Sequence, residues 1–422
     1  MGFMMKYIKR IAACILSAAV CASLLTACAD SSSKRTESTE SSASKSKTMH
    51  TLYVRDEFKS KEVTVTFENT SNGETEKVKM GKLSESDDYF LFSCEGDAAL
   101  YNRVYITHDD SELLGVAFNK YVSGWSISSY GIVPYTEGEE PLESVDFKTE
   151  TFDYNGSKKE VYIWTPKGYD QSSKEKYSTV YLLDGESKLS PDFSYGKSYG
   201  CWYAPVSVTS MMVQSNNKAI IVAISNSEET RYDELVPDIG ELVSDSTFSS
   251  AKQGIPFCEF VVNTVVPFVE KNYNVYTDAA HNSIGGSSLA GLESFYIGME
   301  HPEKFGAVGA FSPTFGAINS SSWMEYLGKK KLDESSPFIY FYSGDPQDNE
   351  WSAKGMIKCL QQLNYPASKM AYTKYPRGMH TVPYWRNIFP EYLEAAFDKK
   401  VAALEGKPML DENETIPLDY AE

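Results

Sequence analysis

The chain predicts a doubly wound α/β domain preceded by an all-β sandwich, and three observations lead there. Beyond about residue 142, apolar runs without alternation, such as Ile220-Ile221-Val222-Ala223-Ile224, recur between stretches of helical character. Runs of that kind suit strands covered on both faces, as in a parallel sheet flanked by helices. Before that point, from Leu52 to Pro141, short segments alternate apolar with polar residues between turn signals. Third, Gly286-Ser287-Ser288-Leu289-Ala290-Gly291 joins a strand-like run, Asn282-Ser283-Ile284, to a helical run carrying Leu292, Phe295, Tyr296 and Met299.

The elements follow in chain order. Lys6, Lys9 and Arg10 precede an apolar stretch from Ile11 to Leu25, the pattern of a targeting segment over residues 1–27. That stretch is short for a spanning helix. Its end, Leu25-Thr26-Ala27-Cys28, resembles the lipobox of bacterial lipoproteins. The resemblance implies cleavage before Cys28, diacylglycerol on its sulfur, and a protein held by lipid on the outer face of a membrane. Residues 28–48 are rich in Ser, Lys, Thr and Glu without apolar periodicity and read as a flexible tether.

In the block 49–141, Val63, Val65 and Phe67 alternate with polar residues, and Asn72-Gly73 supplies a hairpin signal. Tyr89–Phe92, Val104–Ile106 and Val116–Phe118 continue the pattern, and strands so spaced suggest an immunoglobulin-like sandwich. Tyr121, Trp125 and Tyr130 read as core, with a sugar-stacking platform as the other reading. The acidic turn Glu137-Gly138-Glu139-Glu140-Pro141 marks the boundary. In the α/β domain, 142–402, strands are expected at Val161–Trp164, Val180–Leu183, Ala219–Ile224, Ala307–Ser312, Phe338–Tyr342 and Met370–Tyr375. Helices are expected at Pro256–Lys271, after the Gly286–Gly291 turn, and at Ile388–Phe397; residues 403–422 form a tail.

A formal net charge of -18 with no basic stripe interleaved with aromatics excludes nucleic acid as a partner. The 29 tyrosines suit a secreted protein that handles sugars or aryl groups. Cys14 and Cys21 leave with the targeting segment and Cys28 takes lipid; Cys94, Cys201, Cys258 and Cys359 remain, without C-x-x-C pairing. That spacing is not a zinc signature, so neither metal nor cofactor is expected. Export permits disulfides among the four, and buried free thiols fit equally well.

A serine on a sharp strand-to-helix turn lifts its hydroxyl above the sheet, and small residues two before and two after let the turn close. Here those are Gly286 and Ala290 about Ser288, so the pattern is G-x-S-x-A. Serine needs a base within hydrogen-bond reach, and the chain holds only five histidines. His50 lies at the tether edge, His108 in the all-β part, His281 too near Ser288 along the chain to fold back, and His301 at the end of the following helix. His380, in Gly378-Met379-His380 past the last expected strand, remains. In α/β hydrolases the acid falls between serine and histidine. Asp348 is the first choice and Asp345 the second, both on the turn after Phe338–Tyr342. Oxyanion donors are expected from the backbone amide of Leu289 and from that of Glu186 or Gly185.

Residues from about Phe147 to Lys399 resemble the α/β-hydrolase family known as Putative esterase, which includes feruloyl, acetylxylan and enterochelin-type esterases. Carrying the resemblance are Val161 to Tyr169, Val180 to Gly185, Val222 to Asn226, Arg231 to Pro237, Val266 to Tyr273, the turn at Ser288, Phe305 to Pro313, and Gly378 to Arg386. It implies a serine esterase acting on acyl or feruloyl esters of polysaccharide. The alternatives are a siderophore esterase or a carbohydrate-binding lipoprotein with little turnover. Two positions depart from the family: Ala290 replaces the usual glycine, and Gln347 stands where the acid is often found. The family's Arg and Glu map to Arg231 and Glu234, read as a structural ion pair.

Overall fold

Alternation along each central strand decides how the α/β part is layered. In β13 (Ser178–Leu183) Val180 and Leu182 enter one hydrophobic core while Tyr181 and Leu183 enter another; in β14 (Ala219–Ile224) Ile221 and Ala223 are divided from Ile220 and Val222 in the same way. Successive side chains of a strand point to opposite faces, so a sheet buried on both sides needs apolar residues at every position. That is the physical content of the unalternated runs.

The computed structural model describes residues 48–129, 131–139, 145–193, 199–226, 230–243, 252–411, 413 and 416. The expected targeting segment, Cys28, Tyr130 and nearly all of the tether lie outside them, as do 140–144 at the expected boundary and most of the chain beyond 411. The described residues belong to one compact unit.

The remaining strands of the large sheet are β11 (Lys148–Tyr154), β12 (Ser157–Trp164), β15 (Asn282–Ser287), β16 (Ala307–Phe311), β17 (Phe338–Ser343) and β18 (Met370–Lys374). They order as β11-β12-β14-β13-β15-β16-β17-β18. β11 and β12 are antiparallel to their neighbours, and every pairing from β14 to β18 is parallel. Parallel neighbours need crossovers, and helices supply them. They are α1 (Ala204–Gln214), α2 (Arg231–Glu234), α3 (Gly254–Phe260), α4 (Val266–Asn272), α5 (Leu289–Glu300), α6 (Ser320–Gly328), α7 (Glu350–Gln362) and α8 (Val382–Asp398). The core that α5 joins through Leu292 and Phe295 covers one face of the sheet; the core with Val208 of α1 and Ile388 of α8 covers the other.

Two helix predictions change in detail. The expected Pro256–Lys271 helix is α3 and α4 joined by a π turn at Val261–Val265. Pro267 brings no N–H and would clash with the preceding turn, which a widened turn relieves. The closing helix begins at Val382, ahead of the expected Ile388, because Pro383 falls in its first turn, where a missing N–H has no consequence. Helices α1, α2, α6 and α7 are additional to the sequence expectation.

The all-β part has β1 (Met49–Asp56), β2 (Val63–Glu68), β3 (Thr75–Lys79), β4 (Gly81–Glu85), β5 (Phe90–Asp97), β6 (Arg103–His108), β7 (Ser111–Glu112), β8 (Val116–Ala117), β9 (Gly124–Ser128) and β10 (Gly131–Pro134). One sheet runs β10-β9-β1-β5-β4 and the other β3-β2-β6-β7, with β8 also on β6. Leu52 and Val54 from the first, and Val65, Phe67 and Ile106 from the second, bury in one core with Trp125. His50 is the second residue of β1. Trp125 and Tyr121 are buried at 0% and 1% exposure, and Tyr121 belongs to the α8-side core. Neither can stack a sugar. The four cysteines are free thiols, three of them buried.

Candidate active site

The turn after β15 holds Ser288 at φ 61 and ψ -126. A side chain avoids that backbone region at a cost of about 1–3 kcal/mol unless the surroundings enforce it. Enforcement is visible: the Ser288 N–H donates to Phe311 O at 2.9 Å, and Ser288 O accepts from the N–H groups of Gly291, Leu292 and Thr314. A Cβ on Gly286 would lie 2.7 Å from both the Ala290 methyl and the Ala290 carbonyl oxygen. The methyl of Ala290 therefore fits only because position 286 has none. Leu289 opens α5, so its N–H has no acceptor within the helix.

Asp348 reaches the site through a 3-10 turn, Pro346–Asp348, after β17. Its carboxylate is fully buried and takes three donors: His380 Nδ1 on Oδ1 at 2.9 Å, and Ser312 Oγ at 2.9 Å and the Gly344 N–H at 2.6 Å on Oδ2. Asp345 instead caps that turn, accepting from the Gln347 N–H at 3.1 Å, and Gln347 is exposed. The carboxylate that meets His380 is thus one residue past the position the family often uses.

Trp385 completes a ring of contacts, donating Nε1–H to Ser312 Oγ at 2.8 Å while its indole meets the His380 imidazole edge-on at 5.0 Å. Ser312 and Trp385 escaped the sequence reading as site residues; the signal lay in their flanking of the last strands and of His380. Asn349 and Thr314 escaped it as well. The Ser288 hydroxyl bonds to Thr314 Oγ1 at 3.2 Å, which Asn349 Nδ2 also reaches at 3.2 Å. So the structure joins Asp348 to His380 and sets Ser288 at the same carboxyl end of the sheet, with its hydroxyl on Thr314 rather than on the imidazole.

The other histidines are otherwise engaged. His281 pairs with Asp278 at 2.7 Å and stacks on Tyr276, His301 pairs with Glu303, and His108 bonds to Ser60.

Glu186 sits on the 3-10 turn Gly185–Ser187 after β13. The N–H groups of Ser187 and Lys188 close that turn onto Asp184 O and Gly185 O, which removes those two as oxyanion donors. Burial pushes the Glu186 carboxyl up to about 7, opposed by its own N–H and by that of Asn226, which donates to Oε1 at 2.9 Å. Arg231 and Glu234 are structural, with separate partners. Arg231 grips Asp184 through two bonds of 2.8 and 2.7 Å, while Glu234 pairs with buried Lys159 at 2.7 Å. Burial alone would raise the Asp184 carboxyl; Arg231 outweighs it and holds the group below its usual value. Among the described residues, no group of three or more His, Cys, Asp and Glu could hold a metal ion.

Fold and site together define an α/β-hydrolase-like protein with a serine on its elbow. More narrowly, the chain belongs to the family described as Putative esterase, whose model matches residues 154–396. By that membership it is a carboxylic ester hydrolase. It is 21% identical over 212 residues to the uncharacterized protein YbbA of Bacillus subtilis (strain 168), covering 50% of this chain and 79% of that one. Among solved structures, it is similar to the enterobactin esterase FES of Shigella flexneri, in the presence of enterobactin, with TM-score 0.47, 16% identity and coverage of 83% and 93%. It is also similar to the ferulic acid esterase AmCE1/Fae1A of Anaeromyces mucronatus in complex with ferulic acid, with TM-score 0.46, 17% identity and coverage of 63% and 94%.

Proposed function

We propose that the protein is a cell-surface serine esterase in which Ser288 is the nucleophile, His380 the base and then acid, and Asp348 the carboxylate that orients it. The enforced backbone of Ser288, at the sheet end that holds the Asp348–His380 pair, carries this reading. The hydroxyl leaves Thr314 by rotation about χ1 and gives its proton to His380 as it attacks the ester carbonyl. The oxyanion takes the N–H groups of Leu289 and Glu186, the latter in competition with Glu186's own carboxylate; each donor is worth about 100- to 1,000-fold in rate. His380 returns the proton to the departing alkoxide, and water clears the acyl-enzyme by the same route in reverse.

For substrate we propose acyl or feruloyl esters of polysaccharide. Exposed Tyr232, Trp351 and Met379 follow β14, β17 and β18, at the sheet end that carries the site, and support an aryl or sugar ligand. The two sheets sharing one core support an immunoglobulin-like sandwich for the all-β part. The Cys28 lipobox supports attachment by lipid to the extracellular face of a membrane; among the described residues no helix is long and apolar enough to cross a membrane.

The test is turnover of an aryl acetate and labelling by a serine-directed phosphonate, in wild type and in Ser288→Ala. Turnover that survives the substitution refutes the mechanism. No turnover and no label in wild type would favour a binding lipoprotein. Acetylated, feruloylated and catecholate esters then assign the acyl group, preference for the last pointing to siderophores. Incorporation of labelled palmitate that persists in Cys28→Ala would refute the anchor.

A further inference from the structure

The loop that carries His380 is held from outside the α/β part. Arg103 of β6 is fully buried, and its guanidinium carbon lies 4.8 Å over the ring of Tyr375, which begins that loop. None of its three side-chain nitrogens has a hydrogen-bond partner among the described residues. Its charge is met by the face of the ring and by the field of Glu391 in α8. The Gly115 N–H donates to Tyr375 Oη at 3.0 Å, and Gly115 O accepts from Asn387 of α8 at 3.4 Å. Two residues along, Arg377 donates twice to Glu112 Oε1 at 3.1 Å and lies 5.2 Å over the Tyr105 ring.

On its other side Tyr375 is tied to the acid. Its N–H donates to Ser343 O at 2.9 Å and its carbonyl accepts from Gly378 at 2.7 Å. A Cβ on Gly378 would come within 2.6 Å of Gly344 Cα, and the Gly344 N–H is one of the donors to Asp348. Loops of this kind are by default the mobile parts of a fold, whereas a misplacement of about 1 Å at a catalytic group can cost about 100-fold in rate. Tyr375 is the post to which both the all-β part and the Asp348–His380 loops are fastened.

We propose that the all-β part is an intramolecular clamp on the His380 loop, with Arg103, Glu112 and Gly115 as positioning residues for a base that their own sheet does not contain. The proposal rests on the catalytic role given to His380 above. It predicts that turnover responds to residues outside the 154–396 family match.

The experiment uses the full chain and the variants Arg103→Leu, Tyr375→Phe and the double variant Glu112→Gln/Arg377→Gln, with Val65→Ala in the core of the all-β part as control. Readouts are kcat and KM for an aryl acetate, the phosphonate labelling rate, thermal melting, and hydrogen exchange of the Tyr375–Thr381 amides. Arg103→Leu and Tyr375→Phe should lower kcat and labelling about 10- to 100-fold with KM within about twofold, and exchange in the loop should rise about tenfold or more. Val65→Ala should lower the melting temperature without changing either. Should Arg103→Leu fail to fold, Tyr375→Phe and the exposed Glu112/Arg377 pair still decide. Unchanged loop exchange overturns the clamp whether or not the protein turns over. So does raised exchange with unchanged kcat, or a loss of kcat in Val65→Ala that tracks its melting temperature. Turnover that survives Ser288→Ala instead refutes the esterase mechanism and leaves the exchange result to judge the clamp.

Discussion

Replacing Asp348 by Asn tests the site at its most constrained atom. Oδ2 of Asp348 accepts from both Ser312 and the Gly344 N–H, while Oδ1 accepts from His380 Nδ1. An amide has one acceptor oxygen, and two donors already claim the Oδ2 position. The carbonyl of Asn therefore settles there and turns its NH2 toward His380. Nδ1 must then accept, so the imidazole proton moves to Nε2, where the attacking hydroxyl needs a lone pair. A wrong tautomer of this kind costs about 10,000-fold in kcat, or about 5.5 kcal/mol of transition-state stabilisation. The assay is steady-state hydrolysis of an aryl acetate beside a thermal melt. Asp348→Asn should keep the fold, and Asp345→Asn, which touches only the turn cap, should keep kcat within about twofold. Asp348→Asn activity within about tenfold of wild type would refute the orienting role.

Three further outcomes follow from burial. Gly286→Ala puts a methyl against the rigid Ala290 backbone, 2.7 Å from its carbonyl oxygen; it should cost about 1–3 kcal/mol in urea unfolding and abolish phosphonate labelling. Lys159→Met leaves Glu234 buried without its ammonium and should cost about 3–5 kcal/mol, most of it recovered in Lys159→Met/Glu234→Leu; recovery by less than half would argue that Glu234 serves its other donors, Asn226 and Thr230. Burial pushes the Glu394 carboxyl up to about 8, so between its ordinary range and pH 8 the folded chain holds a proton that the unfolded chain has lost. Stability should fall as pH rises through that window, by up to about 1.4 kcal/mol per pH unit, relative to Glu394→Gln. Parallel pH profiles for the two proteins would remove Glu394 as the cause.

The turn at Ser288 was legible because its geometry is local. Strand, glycine, serine, small residue and helix follow one another without a break from Asn282 to Glu300, and short-range sterics dictate the turn they make. The unalternated strands were legible for the same reason, since burial on two faces writes itself into every residue of a run such as Ile220–Ile224. Helix α7 carries an apolar face at helical spacing, Ala353, Met356, Ile357 and Leu360, which is readable in the sequence. Helix α1 offered less, because six of its residues are buried within a mixed run of Ala, Ser, Val and Met without a clear polar face.

Sequence by itself determined the doubly wound domain, the strained serine and the candidacy of His380, each set by neighbours along the chain or by elimination among five histidines. Only the tertiary structure places the Asp348 carboxylate, rather than that of Asp345, against His380, because the contact depends on which carboxylate a 3-10 turn rotates toward an imidazole 32 residues away. It alone put Tyr121 into the core on the α8 side of the large sheet and brought Arg103 onto Tyr375, since long-range contacts arise when separate elements pack and leave no periodic mark on the chain.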